Sequence, residues 1–249
     1  MKDIITKISA VALLASAGVL LNSNAVALDV KLTDYLAYLE VEHNGEQVRI
    51  QRIQDTNNVL RDGFAKTSRN CPPFCIQPMK AAPGVSTVGE VEIFRFMERE
   101  LADGSGMIVD ARTPSWYQKG TIPGSVNMPF TEFVGDVNAA ETVSALEKLG
   151  GVQRGEVSWV TRSFEKLMAT FGLFGSGQKT DSWDFSDAKQ VVFWCNGPWC
   201  GQSPGAIEGL LSHGYPPEKV YYYRGGMQMW KALGLTVVMP ESTEVVAMK

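Results

Sequence analysis

Four cysteines supply the reactive chemistry of this chain: Cys71 and Cys75, with three residues between them, and Cys195 and Cys200, with four. The second pair lies in the segment Val191-Val192-Phe193-Trp194-Cys195-Asn196-Gly197-Pro198-Trp199-Cys200-Gly201-Gln202-Ser203-Pro204. An apolar run ends at a cysteine, a glycine-containing loop follows, and a helix begins. A loop curled over a helix N-terminus turns backbone N–H groups and the positive end of the helix dipole inward. Such a cradle favours an anion and draws a thiol below its free value of about 8.5. Gly197 and Gly201 are expected to supply backbone conformations closed to other residues. The loop therefore reads as a holder for an anionic sulfur, with Cys200 near enough to act as a resolving thiol.

Four cysteines allow three pairings, and spacing alone leaves the choice open. Cys71-Pro72-Pro73-Phe74-Cys75 suits a structural feature better than a catalytic pair. A zinc site drawing on all four thiolates is disfavoured, because neither spacing is the common Cys-x-x-Cys; no metal and no cofactor are expected. His213 suits a helix end and His43 a hairpin turn, and neither reads as catalytic. Trp199 covers the loop or meets a partner, or simply packs on neighbouring aromatics.

The elements that must position this loop can be read outward from it. Gln190–Trp194 is a buried strand and Pro204–Ser212 a helix ended by His213 and Gly214. Val220–Tyr223 is a strand, Met227–Leu233 a helix and Leu235–Val238 a last strand. Upstream, Thr87-Val88-Gly89-Glu90 reads as a capping box for a helix with Val91, Phe94, Met97 and Leu101 on one face. Met107–Val109 and Ser125–Met128 are strands, and Ala139–Leu149 is a helix. Residues 151–188 lack clean periodicity and read as an insertion with one helix near Ser163–Phe171. Alternating strands and helices predict an α/β fold with an open parallel sheet and helices on both faces. Before it, Leu36–Glu42 and Gln47–Ile53 flank an Asn-Gly turn and predict a hairpin. Arg61 to Pro83 is too rich in proline for regular structure and is expected as an ordered connector folded over the main domain.

Lys2 and Lys7, the apolar run Ile8–Leu21 and the small residues Ala25-Val26-Ala27 read as a signal peptide cleaved after Ala27. The expected organisation is a signal peptide over 1–27, an extension with a hairpin and a Cys-Pro-rich connector over 28–84, and the α/β domain over 85–249. A periplasmic or secreted location follows. Cleavage removes Lys2, Lys7 and Asp3 and moves the net charge from −4 to −5. An acidic chain without basic clusters excludes nucleic acid as a partner, and no membrane association is expected after cleavage.

Three stretches resemble the rhodanese-like sulfurtransferases. The first is Val109-Asp110-Ala111-Arg112-Thr113-Pro114, continuing through Tyr117, Gly120 and Ile122-Pro123-Gly124-Ser125-Val126-Asn127-Met128-Pro129. The second is Cys195 with its loop. The third is Tyr223-Arg224-Gly225-Gly226-Met227 with Trp230 and Gly234. They occur in the family's order across residues 85–240. The resemblance implies a rhodanese-like fold and a sulfurtransferase in which Cys195 is the nucleophile. Its thiolate takes the outer sulfur of a donor as a persulfide, and an acceptor removes it. Asn196, Gly197, Pro198, Trp199, Gly201, Gln202 and Ser203 would form the cradle. Asp110 and Arg112 would fix a strand end, and Arg224 would line the pocket or serve structure. The partner implied is a small sulfur donor or a protein thiol or persulfide; a protein could also dock through the extension.

The loop departs from the family pattern. It is about two residues longer, and Gln202-Ser203 stands where Arg-Ser is common. It carries no Lys or Arg, so a thiosulfate dianion lacks a charged partner, and phosphatase chemistry lacks its arginine. Cys200 adds a second thiol. Two other classes therefore stand beside the sulfurtransferase: a thiol–disulfide protein using Cys195 and Cys200, and a non-enzymatic module that binds through the extension and Trp199.

Overall fold

Val191, Val192, Phe193 and Trp194 are all buried, which requires a strand covered on both faces. In the computed structural model, which describes residues 29–170, 179–240 and 242–246, that strand is the centre of the sheet. The elements run β1 (Leu39–His43), β2 (Glu46–Ile50), β3 (Ser86–Thr87), α1 (Glu90–Phe96), β4 (Gly106–Asp110), α2 (Pro114–Tyr117), β5 (Ser125–Asn127) and α3 (Ala140–Lys148). They continue β6 (Val152–Gln153), α4 (Trp159–Thr170), β7 (Trp183–Asp184), β8 (Gln190–Trp194), α5 (Gln202–Ser212), β9 (Val220–Tyr223), α6 (Gly226–Ala232), β10 (Val237–Met239) and β11 (Ser242–Val246). The five-stranded sheet has the order β3-β9-β8-β4-β5, and every pairing in it is parallel.

From β4 the chain moves to β5 on one side and later returns to β8 on the other. The carboxyl ends of β4 and β8 therefore flank a topological switch point, where open α/β sheets bind ligands. Cys195 is the first residue beyond β8 at that point.

Alternate side chains feed two cores. Val191, Phe193, Val109 and Tyr222 meet Ala206, Ile207 and Leu210 of α5 and Leu146 of α3. Val192, Trp194, Ile108 and Tyr223 meet Ile93 and Phe94 of α1 and Met227 and Trp230 of α6. The extension joins the second core through Leu39, Val41 and Ile50 of its hairpin and through Phe64.

The structure moves several expected boundaries. The hairpin turns at Asn44-Gly45, both at positive φ, as a two-residue turn of this kind demands. Helix α1 is capped at Gly89 rather than by a Thr87 box: Thr87 is in β3, and Glu92 Oε2 accepts the Gly89 N–H at 3.0 Å. The face of α1 holds Phe94, but its last turn, Met97–Leu101, widens to a π-helix. Helix α5 begins at Gln202, two residues before Pro204. The last expected strand does not join the parallel sheet; β10 pairs antiparallel with β11. The insertion contains α4 and the small antiparallel pair β6–β7; Phe171, expected as its helix end, lies outside the described residues, as does the expected signal peptide. Among the described residues no helix is long and apolar enough to cross a membrane.

Candidate active site around Cys195

The end of β4 is built first, by a buried ion pair. Arg112 Nε donates to Asp110 Oδ1 at 2.8 Å and Arg112 Nη2 to Asp110 Oδ2 at 2.6 Å. Both side chains are essentially sealed from solvent. Thr121 Oγ1 donates to the same carboxylate, Arg112 also reaches the Gly120 carbonyl, and its guanidinium lies 4.5 Å from the Trp194 ring centroid. These contacts make Asp110–Arg112 a brace between two strand ends. Arg112 Nη1 extends the brace to Asn196 Oδ1 at 3.4 Å, within the cysteine loop.

The other support is the start of α6. Met227 N–H donates to the Cys195 carbonyl and Gln228 N–H to the Asn196 carbonyl, both at 2.9 Å. Gly226 has φ +53°, and a Cβ there would lie 2.2 Å from the Cys195 oxygen. Gly197, at φ +154°, has room for a Cβ only 2.8 Å from that of Gln228. These two positions require glycine. Gly201 does not: its φ is −84°, and a Cβ would meet nothing nearer than Gln77 Nε2 at 3.6 Å.

The loop brings both thiols inside. Cys195 is 2% exposed and Cys200 5%. Ser203 Oγ donates to Cys195 Sγ at 3.0 Å, and the Cys195 thiol points to the Cys200 carbonyl at 3.3 Å. Cys200 Sγ lies 3.6 Å from Gln202 Oε1. Burial pushes the Cys195 thiol well above its ordinary value, and the neighbouring Cys200 adds to the shift; the Ser203 hydroxyl and amide oppose it without prevailing. Cys200 goes the other way. It is drawn down to about 7, first by the hydrogen bond from the Cys195 thiol, then by the Gln202 and Asn196 amides and the Arg112 charge, against the cost of burial. Of the two thiols, Cys200 is therefore the one drawn toward ionisation. The expectation of a depressed Cys195 fails because desolvation outweighs the cradle.

The expected cradle residues divide. Asn196, Gln202 and Ser203 direct amides or a hydroxyl at sulfur. Pro198 and Trp199 instead meet the connector. The Pro198 carbonyl accepts the Gln77 N–H at 2.8 Å, and Trp199 meets the Phe74 ring edge-on with centroids 5.1 Å apart. The Arg69 guanidinium lies 3.9 Å from the Trp199 ring centroid. Arg224 is engaged here too, donating through Nε and Nη2 to the Gln77 carbonyl at 3.1 and 2.9 Å. Arg69, Phe74 and Gln77 are site residues that pattern reading missed; the proline density of their segment was the one available signal. Cys71 and Cys75 form a disulfide, which removes them from any metal set, while Cys195 and Cys200 are free thiols. His213 ends α5 and its Nε2 lies 3.0 Å from the Phe133 carbonyl; His43 Nδ1 accepts the Gly124 N–H at 3.3 Å.

No curated protein matches the chain. Similar solved structures include the human single-domain sulfurtransferase TSTD1, with 20% identity over 61% of this chain and 97% of that one and a TM-score of 0.32 to 0.33 across this and the Saccharomyces cerevisiae single-domain sulfurtransferase RDL2. RDL2 is 22% identical, over 60% of this chain and 91% of that one. The As-Sb reductase from Leishmania major is 18% identical, over 65% and 92%, with a TM-score of 0.34. The rhodanese-like domain family matches residues 96–233, more than half of the chain. This protein therefore belongs to the rhodanese-like domain family.

Proposed function

We propose that the protein is a sulfurtransferase that carries sulfane sulfur as a persulfide on Cys195. The observation that carries this reading is the position of that thiol. It sits beyond the central strand at the switch point, with the Ser203 hydroxyl 3.0 Å from its sulfur and the Ser203 amide also directed at it. In the transfer, Cys200 takes the Cys195 proton as the donor approaches. The Cys195 thiolate then attacks the donor's outer sulfur, the donor's S–S bond breaks, and the remainder leaves with the bonding pair. An acceptor thiolate attacks the outer sulfur of the persulfide and restores the Cys195 thiolate, which regains its proton.

Thiosulfate suits this site poorly. The loop has no cation of its own, Arg112 is matched to Asp110, and Arg224 is committed to Gln77. A protein or low-molecular-weight persulfide of lower charge is the better donor. An exported setting suits the reading, because a Cys71–Cys75 disulfide is a bond that oxidising compartments keep.

A second reading rests on the depressed Cys200 thiol. Its thiolate attacks the inner sulfur of a Cys195 persulfide, a Cys195–Cys200 disulfide forms, and hydrosulfide leaves. An external dithiol then restores both thiols. Incubation with glutathione persulfide, followed by alkylation and peptide mass spectrometry, separates the two. A single added sulfur retained on Cys195 supports transfer, and a Cys195–Cys200 disulfide with released sulfide supports the second course. Neither product, in protein with both thiols reduced and the Cys71–Cys75 disulfide either closed or opened, would falsify both.

A further inference from the structure

The connector from Asp62 to Pro83 crosses the mouth of the site as a strap. Cys71 and Cys75, with Cα atoms 4.7 Å apart, close a small ring in it, across which Phe74 N–H donates to the Asn70 carbonyl at 3.2 Å. The ring presents Phe74 to Trp199. Immediately after it, Gln77 fastens the strap to the loop through the Pro198 carbonyl and to β9's end through Arg224. The Gln77 side chain reaches back to the Cys75 carbonyl at 3.0 Å, so ring and fastening are one piece.

Cys195 and Cys200 are nearly sealed in this arrangement, yet any reagent must touch their sulfurs. The sheet, α5 and α6 cannot yield locally, since their residues form the two cores. The strap can. Among the described residues, none between Phe64 and Ala81 belongs to either core. Beyond Phe64, whose carbonyl accepts from Gln228 Nε2, it is held by the Gln77 hydrogen bonds to Pro198 and Arg224, the Thr87 hydroxyl on the Met79 carbonyl, the Phe74–Trp199 pair and the Arg69 stack. Segments with few apolar contacts open at a small fraction of the global cost. Cys71 is exposed and Cys75 half-buried, so the ring lies at the surface.

We propose that the Cys71–Cys75 disulfide is a thiol–disulfide exchange site for a dithiol reductant, and that its reduction releases the strap from the Cys195 loop. A reductant thiolate attacks Cys71 Sγ and the Cys71–Cys75 bond breaks, with Cys75 leaving as a thiolate. The reductant's second thiol then attacks the mixed disulfide. Cys71 and Cys75 become thiols, having gained two electrons and two protons, and the reductant becomes a disulfide. The ring residues regain chain freedom, which opposes the ordered contacts of Phe74 and Gln77. The proposal concerns access to Cys195 and holds for whichever electrophile that thiol meets.

The test is peptide-resolved labelling of Cys195 and Cys200 by N-ethylmaleimide in the whole protein, before and after treatment with dithiothreitol and its removal under anaerobic conditions. Hydrogen exchange of the β8 and β9 amides is followed in parallel. Labelling should quicken about tenfold or more on reduction, with the sheet amides still protected. A Cys71→Ser/Cys75→Ser variant should match the reduced protein, and Phe74→Ala should quicken labelling with the disulfide intact. If that double variant does not fold, the reduced wild-type protein decides the matter. An unchanged labelling rate overturns the proposal. So does quickening accompanied by loss of β8 and β9 protection, because the disulfide would then hold the fold and not the strap.

Discussion

A Cβ on residue 226 would lie 2.2 Å from the carbonyl oxygen of Cys195. The second glycine of the Gly-Gly pair at the start of α6 is thus a spacer that lets the helix dock on the cysteine loop, where Met227 N–H reaches that same oxygen.

Gly226→Ala should therefore disturb the site at its root. The substitution meets both a positive φ and backbone in its way, so about 2–3 kcal/mol of stability should be lost. Persulfide formation at Cys195 should fall with it. Gly201→Ala is the control in the same loop. With φ −84° and open space around the Cβ position, it should change stability by less than about 0.5 kcal/mol. Urea unfolding of the two variants measures the difference.

Arg112→Met tests the brace between β4 and the loop. Asp110 would keep Thr121 but lose both guanidinium contacts, leaving a buried carboxylate without its counter-ion. Removing one partner of such a pair costs about 3–5 kcal/mol. Because Arg112 also reaches Asn196, the loop should loosen as well, and maleimide labelling of Cys195 should quicken in whatever fraction remains folded. A loss below about 1 kcal/mol in urea unfolding would contradict the brace.

The thiol pair gives a pH signature. Cys200 ionises near 7 and Cys195 well above its ordinary range, so alkylation of the pair should rise through pH 7 and occur first on Cys200. Cys200→Ser should abolish that step, leaving a thiol still held up by burial. The sign for stability follows from linkage. A thiol whose folded value is depressed adds stability above its unfolded value of about 8.5, and that stability is withdrawn as pH falls through about 7. Rates of iodoacetamide reaction from pH 5 to 10, resolved by peptide, check the first statement, and urea unfolding of the wild-type and Cys200→Ser proteins over the same pH range checks the second.

Ser203→Ala removes the hydroxyl that donates to Cys195 Sγ. A hydrogen bond to a charged partner contributes about 1.5–3 kcal/mol, so persulfide formation should slow at least about tenfold. The Cys200 step near pH 7 should persist, since Ser203 is not among its causes.

The sequence made the sheet and the cysteine's place in it readable, and left the chemistry around that cysteine unread. Gln190–Trp194 and Val220–Tyr223 stand where pattern put them, because a continuous apolar run between turn signals leaves a buried strand few alternatives. The Gly-Gly-x-x-x-Trp stretch was legible only through the family resemblance; the structure supplies its physical reason, with Gly226 meeting a backbone constraint and Trp230 filling the core. The order of the two thiol ionisations was not, since it depends on burial that no local pattern encodes. Nor was Leu235–Val238 as a strand outside the sheet, because period marks a strand but not its partner. The fastening of Gln77 to Pro198 and Arg224 joins residues more than a hundred positions apart through a proline-rich segment with no periodicity to read.

Two buried phenols on the same core offer the last comparison. Tyr215 Oη donates to the Lys189 carbonyl at 2.6 Å and lies 3.1 Å from the Leu149 carbonyl, tying the end of α3 to the start of β8. Tyr222 Oη is buried with no hydrogen-bond partner among the described residues. Burial pushes both phenols up beyond the usual tyrosine range, so both are neutral at working pH. Removing the two hydroxyls should then have opposite effects. Tyr215→Phe takes the phenol donor from the buried Lys189 carbonyl, while the Leu149 carbonyl keeps the Lys189 N–H, and should cost about 1–2 kcal/mol. Tyr222→Phe removes a group that was desolvated without return and should be neutral or stabilising by up to about 1 kcal/mol. Paired urea unfolding curves read the two signs directly. A clear loss of stability in Tyr222→Phe would mean that this hydroxyl holds a bridging water or a neighbouring group.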